Sequence, residues 1–312
     1  MSVPSDLVTY DVGRAVTVIR SGGLVAIPTE TVYGLAADAT NDAAVERIFA
    51  VKGRPAGHPL IVHLAGADDL DTWARGPSDA ARRLAEAAWP GPLTVIVPRS
   101  ERISAVVTGG RDTVGLRVPA HELTRELVQR SGTVLAAPSA NRFGAVSPTS
   151  AAHVLDDLGD LLDPGRDAIL DGGSSPVGVE STIVDCTVDP AQILRAGGVP
   201  SEDVAELIGV VAPAAGSARA SGMLASHYAP TAAVRLADSA DDAVALKAGT
   251  PGAEILDRTD DLPRYARELY ASLRDADRRG VSVLIAVLPP AAGLGHAIRD
   301  RLVKAAAPRP AG

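Results

Sequence analysis

The stretch VAIPTETVYGLAADATNDAAVERIFAVKGRPAGHPLIVHL, residues 25–64, decides the fold of this chain. Residues 24–27 are an apolar run, which predicts a buried strand. Asn41 or Asp42 then caps a helix with apolar residues on one face, and the helix runs into the sequence KGRP. Residues 60–64 form a second apolar strand. Strand, helix and strand in succession predict an α/β fold.

Polar residues occur where these elements end. In α/β sheets, ligands bind at the ends of strands, so we expect these side chains to share one neighbourhood. Hydroxyl and cationic groups together suit a polar, anionic substrate. The residues are Thr29, Thr31, Lys52, Arg54, His58 and His63.

Two strands each place one polar side chain opposite an aliphatic face. Residues 114–118 alternate so that Arg117 lies opposite two valines and a leucine, and His63 has the same relation to the apolar residues of 60–64. Such a polar face is typical of a binding surface, and also of the solvent-facing side of an antiparallel sheet. The occurrence of both residues in neighbouring motifs favours binding.

Further polar residues follow or interrupt later apolar strands. Ser139 and Asn141 come directly after one strand, where they suit either a binding turn or an ordinary turn. Ser181 replaces an aliphatic residue in another strand. Arg195 precedes a glycine pair, an arrangement that suits a phosphate contact or a surface salt bridge.

The last third of the chain follows a different pattern. Residues 210–221 are low in complexity and predict a linker. Residues 232–306 then alternate strand and helix, which is typical of a small parallel α/β domain. We therefore predict a catalytic domain at 1–209, a linker or lid at 210–231 and a small domain at 232–312.

Composition restricts the class of protein. The chain has 312 residues, 46% of them hydrophobic, without an apolar run long enough to cross a membrane. Its first residues lack the basic and apolar regions of a secretory signal. The single cysteine, Cys186, permits neither an internal disulfide nor a cysteine zinc site. We expect a cytoplasmic protein without a membrane partner and without a protein-bound metal.

The charge distribution argues against a nucleic-acid surface. Net charge is −8, and residues 51–150 hold only 12 Lys and Arg against 9 Asp and Glu. Aromatic residues are 3% of the chain, too few to stack many bases. This mild local excess indicates a phosphate pocket, and we expect no stable direct nucleic-acid binding. A non-catalytic RNA-binding module stays open as the alternative, and steeply salt-dependent RNA binding without ATP consumption would favour it.

The sequence contains no phosphate-binding GxxxxGK[ST] loop, no nucleophile elbow and no HExxH motif. Its candidate residues are suited to binding and orienting anions rather than to nucleophilic attack by the protein. Reactions at nucleotide phosphates need such positioning and charge neutralisation, usually with Mg²⁺ bound mainly by the phosphates.

Seven motifs in this order resemble the YrdC-like family of threonylcarbamoyl-AMP synthases. HYAP at 227–230, followed by a second domain, resembles the long two-domain form of that family. The resemblance implies a twisted open mixed sheet with helices, plus a small Rossmann-like parallel C-terminal domain. The motifs are PTETVYGLAADA, KGRPAGHPLIVHL, GPLTVIV, GLRVPAH, APSANRFGAVSPT, GVESTIVD and ILRAGG.

The resemblance also implies a reaction. L-Threonine, bicarbonate and ATP would condense to threonylcarbamoyl-AMP and pyrophosphate, and the product would go to the proteins that transfer the threonylcarbamoyl group to tRNA. A carbamoyl-transfer relative acting on another acceptor is a further possibility, which the amino-acid dependence of pyrophosphate release would distinguish.

The same resemblance assigns residues to two ligands. Lys52 and Arg54 are the candidate catalytic residues, and we expect both at an exposed helix end where replacement leaves the fold intact. Tyr228 suits a lid that excludes water, or alternatively an interdomain spacer. Positions matching threonine contacts are Thr31, His63, Arg117, Ala137 (through its backbone) and Ser181; positions matching ATP contacts are Arg54, His58, Thr113, Ser139, Asn141, Ser147, Arg195 and Tyr228.

Overall fold

The computed structural model describes residues 5–215 and 228–308. It contains one large mixed sheet with helices packed on it, and one small parallel sheet near the C-terminus. Both sheets join strands that are distant in sequence, so the architecture depends on contacts that local propensity alone does not set.

Eleven strands of the described residues form the large sheet, in the order β1-β8-β2-β3-β7-β4-β6-β5-β9-β10-β11. Parallel pairs such as β4 with β6 alternate with antiparallel pairs such as β5 with β6, which makes the sheet mixed. The strands are β1 (Val8–Thr9), β2 (Val25–Ile27), β3 (Gly34–Asp38), β4 (Ile61–His63), β5 (Leu93–Pro98), β6 (Thr113–Arg117), β7 (Leu135–Ala136), β8 (Ala168–Leu170), β9 (Thr182–Asp185), β10 (Gln192–Arg195) and β11 (Ala212–Pro213).

Several helices around the large sheet begin at residues whose side chains cap them, among them the predicted cap Asn41. The Asn41 side chain accepts a hydrogen bond from the backbone of Ala44, and Ser78 accepts one from Ala81. Short 3₁₀ turns cover Ser5–Leu7 and Ala67–Asp69. The helices are α1 (Val12–Arg20), α2 (Asp42–Lys52), α3 (Leu70–Trp73), α4 (Asp79–Ala88), α5 (Ala105–Thr108), α6 (Glu122–Ser131), α7 (Ala151–Leu158) and α8 (Ser201–Ile208).

The small sheet contains three parallel strands in the order β12-β14-β13. Its helices alternate with the strands along the chain, as expected for parallel pairing. The elements are β12 (Ala233–Ala237), α9 (Ala240–Ala248), β13 (Glu254–Leu256), α10 (Leu262–Arg278), β14 (Val283–Val287) and α11 (Leu294–Ala306).

One hydrophobic cluster joins the two sheets. Val32, Val146 and Val179 from the large-sheet loops pack in the same cluster as Leu269 of α10 and Ile298 of α11. Burial of apolar side chains on both sides stabilises this contact. The loops that follow the large-sheet strands are therefore held against the C-terminal helices.

The predicted α/β class, with a mixed sheet and a small parallel sheet, is confirmed. Within the predicted linker, Ala212–Pro213 form a strand that pairs with β10, because the chain there returns to the sheet edge. Residues 216–227 of the predicted linker or lid lie outside the described residues. In the part of the chain that the structure describes, no helix combines the length and the apolar character that a bilayer crossing needs. The cytoplasmic location stays a prediction.

Candidate active site

A cleft lies on the face of the large sheet opposite its main core. Strands β4 and β6 run side by side and pair His63 with Arg117, so the two side chains stand together, while Val62 and Leu116 point into the core. The predicted polar face therefore forms part of the cleft, and it lies where β4 and β6 end. The cleft is lined by Thr29, Thr31, Val32, Gly34, Arg54, Ile61, His63, Arg117, Ala137, Pro138, Ser139, Glu180, Ser181, Arg195 and Tyr228.

Thr29, Thr31, His63 and Arg117 form one end of the cleft, which we name the polar floor. The hydroxyls of Thr29 and Thr31 are 2.8 Å apart, and Thr29 Oγ1 donates to the carbonyl of Val32 at 2.6 Å. These bonds close the turn after β2 and direct both hydroxyls toward the sheet. The polar run between Ile27 and Gly34 is therefore an ordered part of the site.

Arg117 is held on several sides. Its Nη1 donates to Thr31 Oγ1 at 2.9 Å and its Nε to the carbonyl of Gly91 at 3.2 Å. Glu30 forms an ion pair with Nη2 at 2.7 Å, and the other carboxylate oxygen of Glu30 accepts from the backbone of Ala120 at 3.1 Å. A buried guanidinium with a fixed orientation is suited to recognising a carboxylate.

His63 is buried beside Arg117. Burial, together with the positive charge of Arg117, lowers the pKa of His63 to about 3. The imidazole is therefore neutral at pH 7. Among the described residues, its Nδ1 has no hydrogen-bond partner. A neutral ring offers both a donor and an acceptor to a polar ligand.

Arg54, Glu180, Ser181, Arg195 and Tyr228 form the other end of the cleft, which we name the cationic wall. All five are buried. Burial lowers the pKa of Arg54 to about 10 and also lowers that of Arg195. Two guanidinium groups in a desolvated site attract an anion more strongly than the same charges in water.

Backbone and hydroxyl groups orient the arginines of this wall. Arg195 donates from Nε and Nη2 to the carbonyl of Ser181 at 3.1 and 2.9 Å, and from Nη2 to its Oγ at 3.1 Å. Ser181 Oγ also lies 2.7 Å from Thr94 Oγ1. Arg54 donates from Nη2 to the carbonyl of Pro59 at 3.1 Å and stacks over Phe143, 5.7 Å from the ring centroid.

Glu180 is the one acidic residue of the cationic wall. It accepts from Ser147 Oγ at 2.7 Å and from the Tyr270 hydroxyl at 2.8 Å, and it forms an ion pair with Arg301 at 2.8 Å. Burial alone would raise the pKa of Glu180, but the charges of Arg301 and Arg195 outweigh burial and hold it at about 2. The carboxylate is therefore ionised and fully engaged.

Lys52 is not at an exposed helix end, and that expectation is wrong. Gly53 in the left-handed conformation, with φ of 62°, ends α2 and turns the chain inward, so that Lys52 is 3% exposed and Arg54 7% exposed. The Lys52 amino group donates to the carbonyl of Ser139 at 2.6 Å and to that of Asn141. Lys52 thus lies beneath the loop that follows β7 and does not line the cleft.

Four other predicted residues also lie outside the cleft lining. Asn141 closes its own loop by donating to the carbonyl of Ala145 at 2.8 Å, and Ser147 holds Glu180. The half-buried His58 packs edge-on against Phe143, with ring centroids 5.5 Å apart, and Thr113 opens β6. The predicted residues that line the cleft are Thr31, Arg54, His63, Arg117, Ala137, Ser139, Ser181, Arg195 and Tyr228.

Tyr228 lies between the cleft and the C-terminal helices, and its role as a lid stays a prediction. It lines the cleft, and its ring also packs 5.5 Å from the Tyr270 ring and 5.3 Å from the Arg301 guanidinium carbon. Its φ of 60° is unusual for a residue other than glycine, which indicates that the surrounding contacts hold it in place.

Four important residues were missed at the sequence level: Glu30, Glu180, Tyr270 and Arg301. No local pattern identifies Glu30 as the partner of Arg117. For Arg301 a signal does exist, since it falls on the buried face of α11 between Ile298 and Leu302. A charged residue on an apolar helix face requires a buried partner.

The cleft contains no metal-binding cluster of its own. Residues 5–215 and 228–308 hold no group of three or more His, Cys, Asp or Glu side chains placed to bind a metal ion. Its two neighbouring carboxylates, Glu30 and Glu180, are each paired with an arginine.

Comparisons with known proteins identify relatives that match most of this chain. Residues 17–197 match the Sua5/YciO/YrdC family model, described as "Telomere recombination", and residues 192–307 match the model of the threonylcarbamoyl-AMP synthase C-terminal domain. Threonylcarbamoyl-AMP synthase of Pyrococcus abyssi is 42% identical, over 92% of this chain and 91% of its own length. The synthase of Bacillus subtilis is 37% identical, over 99% and 97%. The crystal structure of P. abyssi Sua5 complexed with L-threonine superimposes with a TM-score of 0.88 at 40% identity, over 95% of this chain and 94% of that one.

Proposed function

The chain belongs to the Sua5/YrdC family of threonylcarbamoyl-AMP synthases, and on that premise we propose that it condenses L-threonine, bicarbonate and ATP to threonylcarbamoyl-AMP and pyrophosphate. One observation carries the proposal for this chain: a single cleft joins a fixed, buried Arg117 to the buried arginines Arg54 and Arg195. A non-catalytic RNA-binding module is not supported by these relatives.

The polar floor binds threonine. Arg117 receives the amino-acid carboxylate, because its orientation is fixed before the ligand arrives. Neutral His63 and the Thr31 hydroxyl supply uncharged hydrogen-bonding groups beside it. Ser181 and the backbone of Ala137 complete the set. The relative's structure with L-threonine supports this assignment.

The cationic wall binds the nucleotide. Arg54 and Arg195 neutralise phosphate charge, while Ser139 and Tyr228 contact the nucleotide from the cleft lining. The predicted residues outside the lining act by shaping this end. They are Lys52, His58, Thr113, Asn141 and Ser147.

The reaction is a nucleotidyl transfer that needs positioning and charge neutralisation. The threonine amine and bicarbonate form a carbamate with loss of water. A carbamate oxygen then bonds to the α-phosphorus of ATP, while the bond from that phosphorus to the bridging oxygen breaks and pyrophosphate leaves with the electron pair. Holding both reactants in one desolvated cleft lowers the activation barrier, because their translational and rotational entropy is lost on binding and not in the chemical step.

Mg²⁺ bound with the nucleotide would take its ligands mainly from the phosphates and water, since Glu30 and Glu180 are each paired with an arginine. It would supply further neutralisation of the leaving pyrophosphate. Residues 1–209 form the catalytic domain, and residues 232–312 form a small second domain. The product passes to proteins that modify tRNA.

Substrate dependence tests the function. Purified protein is incubated with ATP, Mg²⁺ and combinations of bicarbonate with isotopically labelled threonine, and pyrophosphate is measured alongside mass spectrometry of the nucleotides. We expect pyrophosphate release only when threonine and bicarbonate are both present, with the label in a threonylcarbamoyl nucleotide. Equal ATP turnover without threonine contradicts the proposal.

A further inference from the structure

A residue of the C-terminal helix α11 reaches the wall of the cleft. The side chain of Arg301 is completely buried, and its Nε donates to Glu180 Oε2 at 2.8 Å. Its Nη1 donates to the carbonyl of Ala196 at 2.9 Å and to Asp300 at 2.6 Å. The guanidinium thus connects helix α11 to Glu180 and to Ala196, the residue that follows Arg195.

Glu180 needs a strong partner because of where it lies. It lines the same cleft as Arg195, and the two charges interact closely enough that each changes the pKa of the other. An unpaired carboxylate at this depth would attract the nearest guanidinium. A carboxylate that faces the cleft would also repel an anionic ligand.

The partners of Glu180 remove both problems. Arg301 approaches Oε2, Ser147 donates to Oε1, and the Tyr270 hydroxyl lies within 3.0 Å of both oxygens. Arg195 meanwhile donates to the carbonyl and hydroxyl of Ser181. Two of these three partners, Tyr270 and Arg301, come from the C-terminal helices.

Arg301 also contacts Tyr228, a second residue of the cationic wall. Its guanidinium stacks on the ring of Tyr228, which lines the cleft and itself packs against Tyr270. A cation over an aromatic ring is attracted to it, more so in a desolvated site. One buried arginine therefore contacts two residues of the nucleotide end at once.

We propose that Arg301 is a positioning residue for the nucleotide: it neutralises Glu180 and so leaves Arg195 oriented toward the phosphates. This inference rests on the proposed function for the identity of the ligand, and it assigns the C-terminal part of the chain a direct role in the site. Arg301 itself does not line the cleft, so it acts through Glu180 and Tyr228.

Nucleotide affinity tests the inference in the full-length protein. The dissociation constant of α,β-methylene-ATP with Mg²⁺ is measured by calorimetry for the wild type and for Arg301→Met, together with the threonine KM. We expect the dissociation constant to rise about tenfold in Arg301→Met, because Glu180 then competes for Arg195. The threonine KM stays within about twofold, since Arg117 lies outside these contacts and Ser181 keeps its hydrogen bond with Thr94.

A double variant separates charge from packing. In Glu180→Gln with Arg301→Met, no negative charge is left to attract Arg195, so we expect nucleotide affinity within about threefold of the wild type. The result also decides the matter if Arg301→Met alone fails to fold. A double variant that folds and binds the nucleotide ten times more weakly than the wild type overturns the proposal.

Arg47→Met is the matched control for loss of stability. Arg47 pairs with the buried Asp167 at 2.8 Å, remote from the cleft lining, so its removal also leaves a buried carboxylate without its arginine. We expect a lowered melting temperature with unchanged nucleotide affinity. If Arg301→Met behaves in the same way, its role is only structural and the inference is wrong. The proposed function fails separately, if the wild type releases no pyrophosphate with threonine and bicarbonate.

Discussion

The two ends of the cleft differ in what holds them in place. The polar floor is built within the large sheet, where Arg117 is fixed by Thr31, Glu30 and a backbone carbonyl. The cationic wall depends on the C-terminal helices, which supply Tyr270 and Arg301 to Glu180. One end is thus preorganised by its own sheet, and the other is completed by a second part of the chain.

The two substrates should therefore depend on different parts of the chain for their binding. A substitution in the C-terminal helices should weaken nucleotide binding and change threonine binding little. A change in the loop after β2 should do the reverse. The predictions below test that separation, beginning with the largest effect.

Arg117→Met is expected to produce the largest change. The substitution removes the guanidinium that binds the threonine carboxylate and leaves Glu30 buried without its ion pair. The threonine KM should therefore rise about 10²–10³-fold. The dissociation constant of α,β-methylene-ATP should change less than about threefold. Steady-state pyrophosphate release and calorimetry measure the two quantities.

Arg195→Met is the mirror-image variant. It should weaken nucleotide binding about 10²-fold and raise the threonine KM by less, since Arg195 reaches the threonine end through its hydrogen bonds to Ser181. If both variants weaken both ligands equally, the two ends are not separate and the comparison breaks down.

Lys52→Met tests the loop that bears Ser139. Without the amino group, one buried and one partly buried carbonyl lose their donor, so the free energy of unfolding should fall by about 2–3 kcal/mol. Urea denaturation at pH 7 measures this loss. Lys247→Met, at the more exposed end of α9, is the control and should change stability by less than about 0.5 kcal/mol. Unaltered stability in Lys52→Met would contradict a supporting role for this lysine.

His63 should make the polar floor sensitive to acid. Its pKa of about 3 in the folded protein lies below the ordinary value of 6.5, so between these values only the unfolded chain binds the proton. The contribution of His63 to the free energy of unfolding is therefore fully present above about pH 6.5. It falls as the pH is lowered, by about 2 kcal/mol at pH 5.

Urea denaturation of the wild type and His63→Gln at pH 7 and pH 5 measures this contribution. The wild type should lose about 2 kcal/mol more than the variant on acidification. His153, whose pKa burial lowers to about 4, is present in both proteins and cancels in the difference. Equal losses in the two proteins would show that His63 is not held neutral.

The polar floor was largely predictable from the sequence, and the cationic wall only in part. Strand alternation placed His63 and Arg117 on one face, because a period of two leaves little choice once the aliphatic face is buried. The same alternation does not show that Glu30 turns back to meet Arg117. Exposure of Lys52 was predicted incorrectly, because a helix end is exposed only when no later loop covers it.

By itself, the sequence determined the element types, a helix cap at Asn41 or Asp42, the two-sheet α/β class and most residues of the cleft lining. These features follow from local periodicity and from the residues' own chemistry. The tertiary structure alone decided that Arg301 meets Glu180 across 121 residues of chain. A buried charge takes whichever opposite charge the packing of the two sheets brings to it, and that choice is made by long-range contacts that no local pattern encodes.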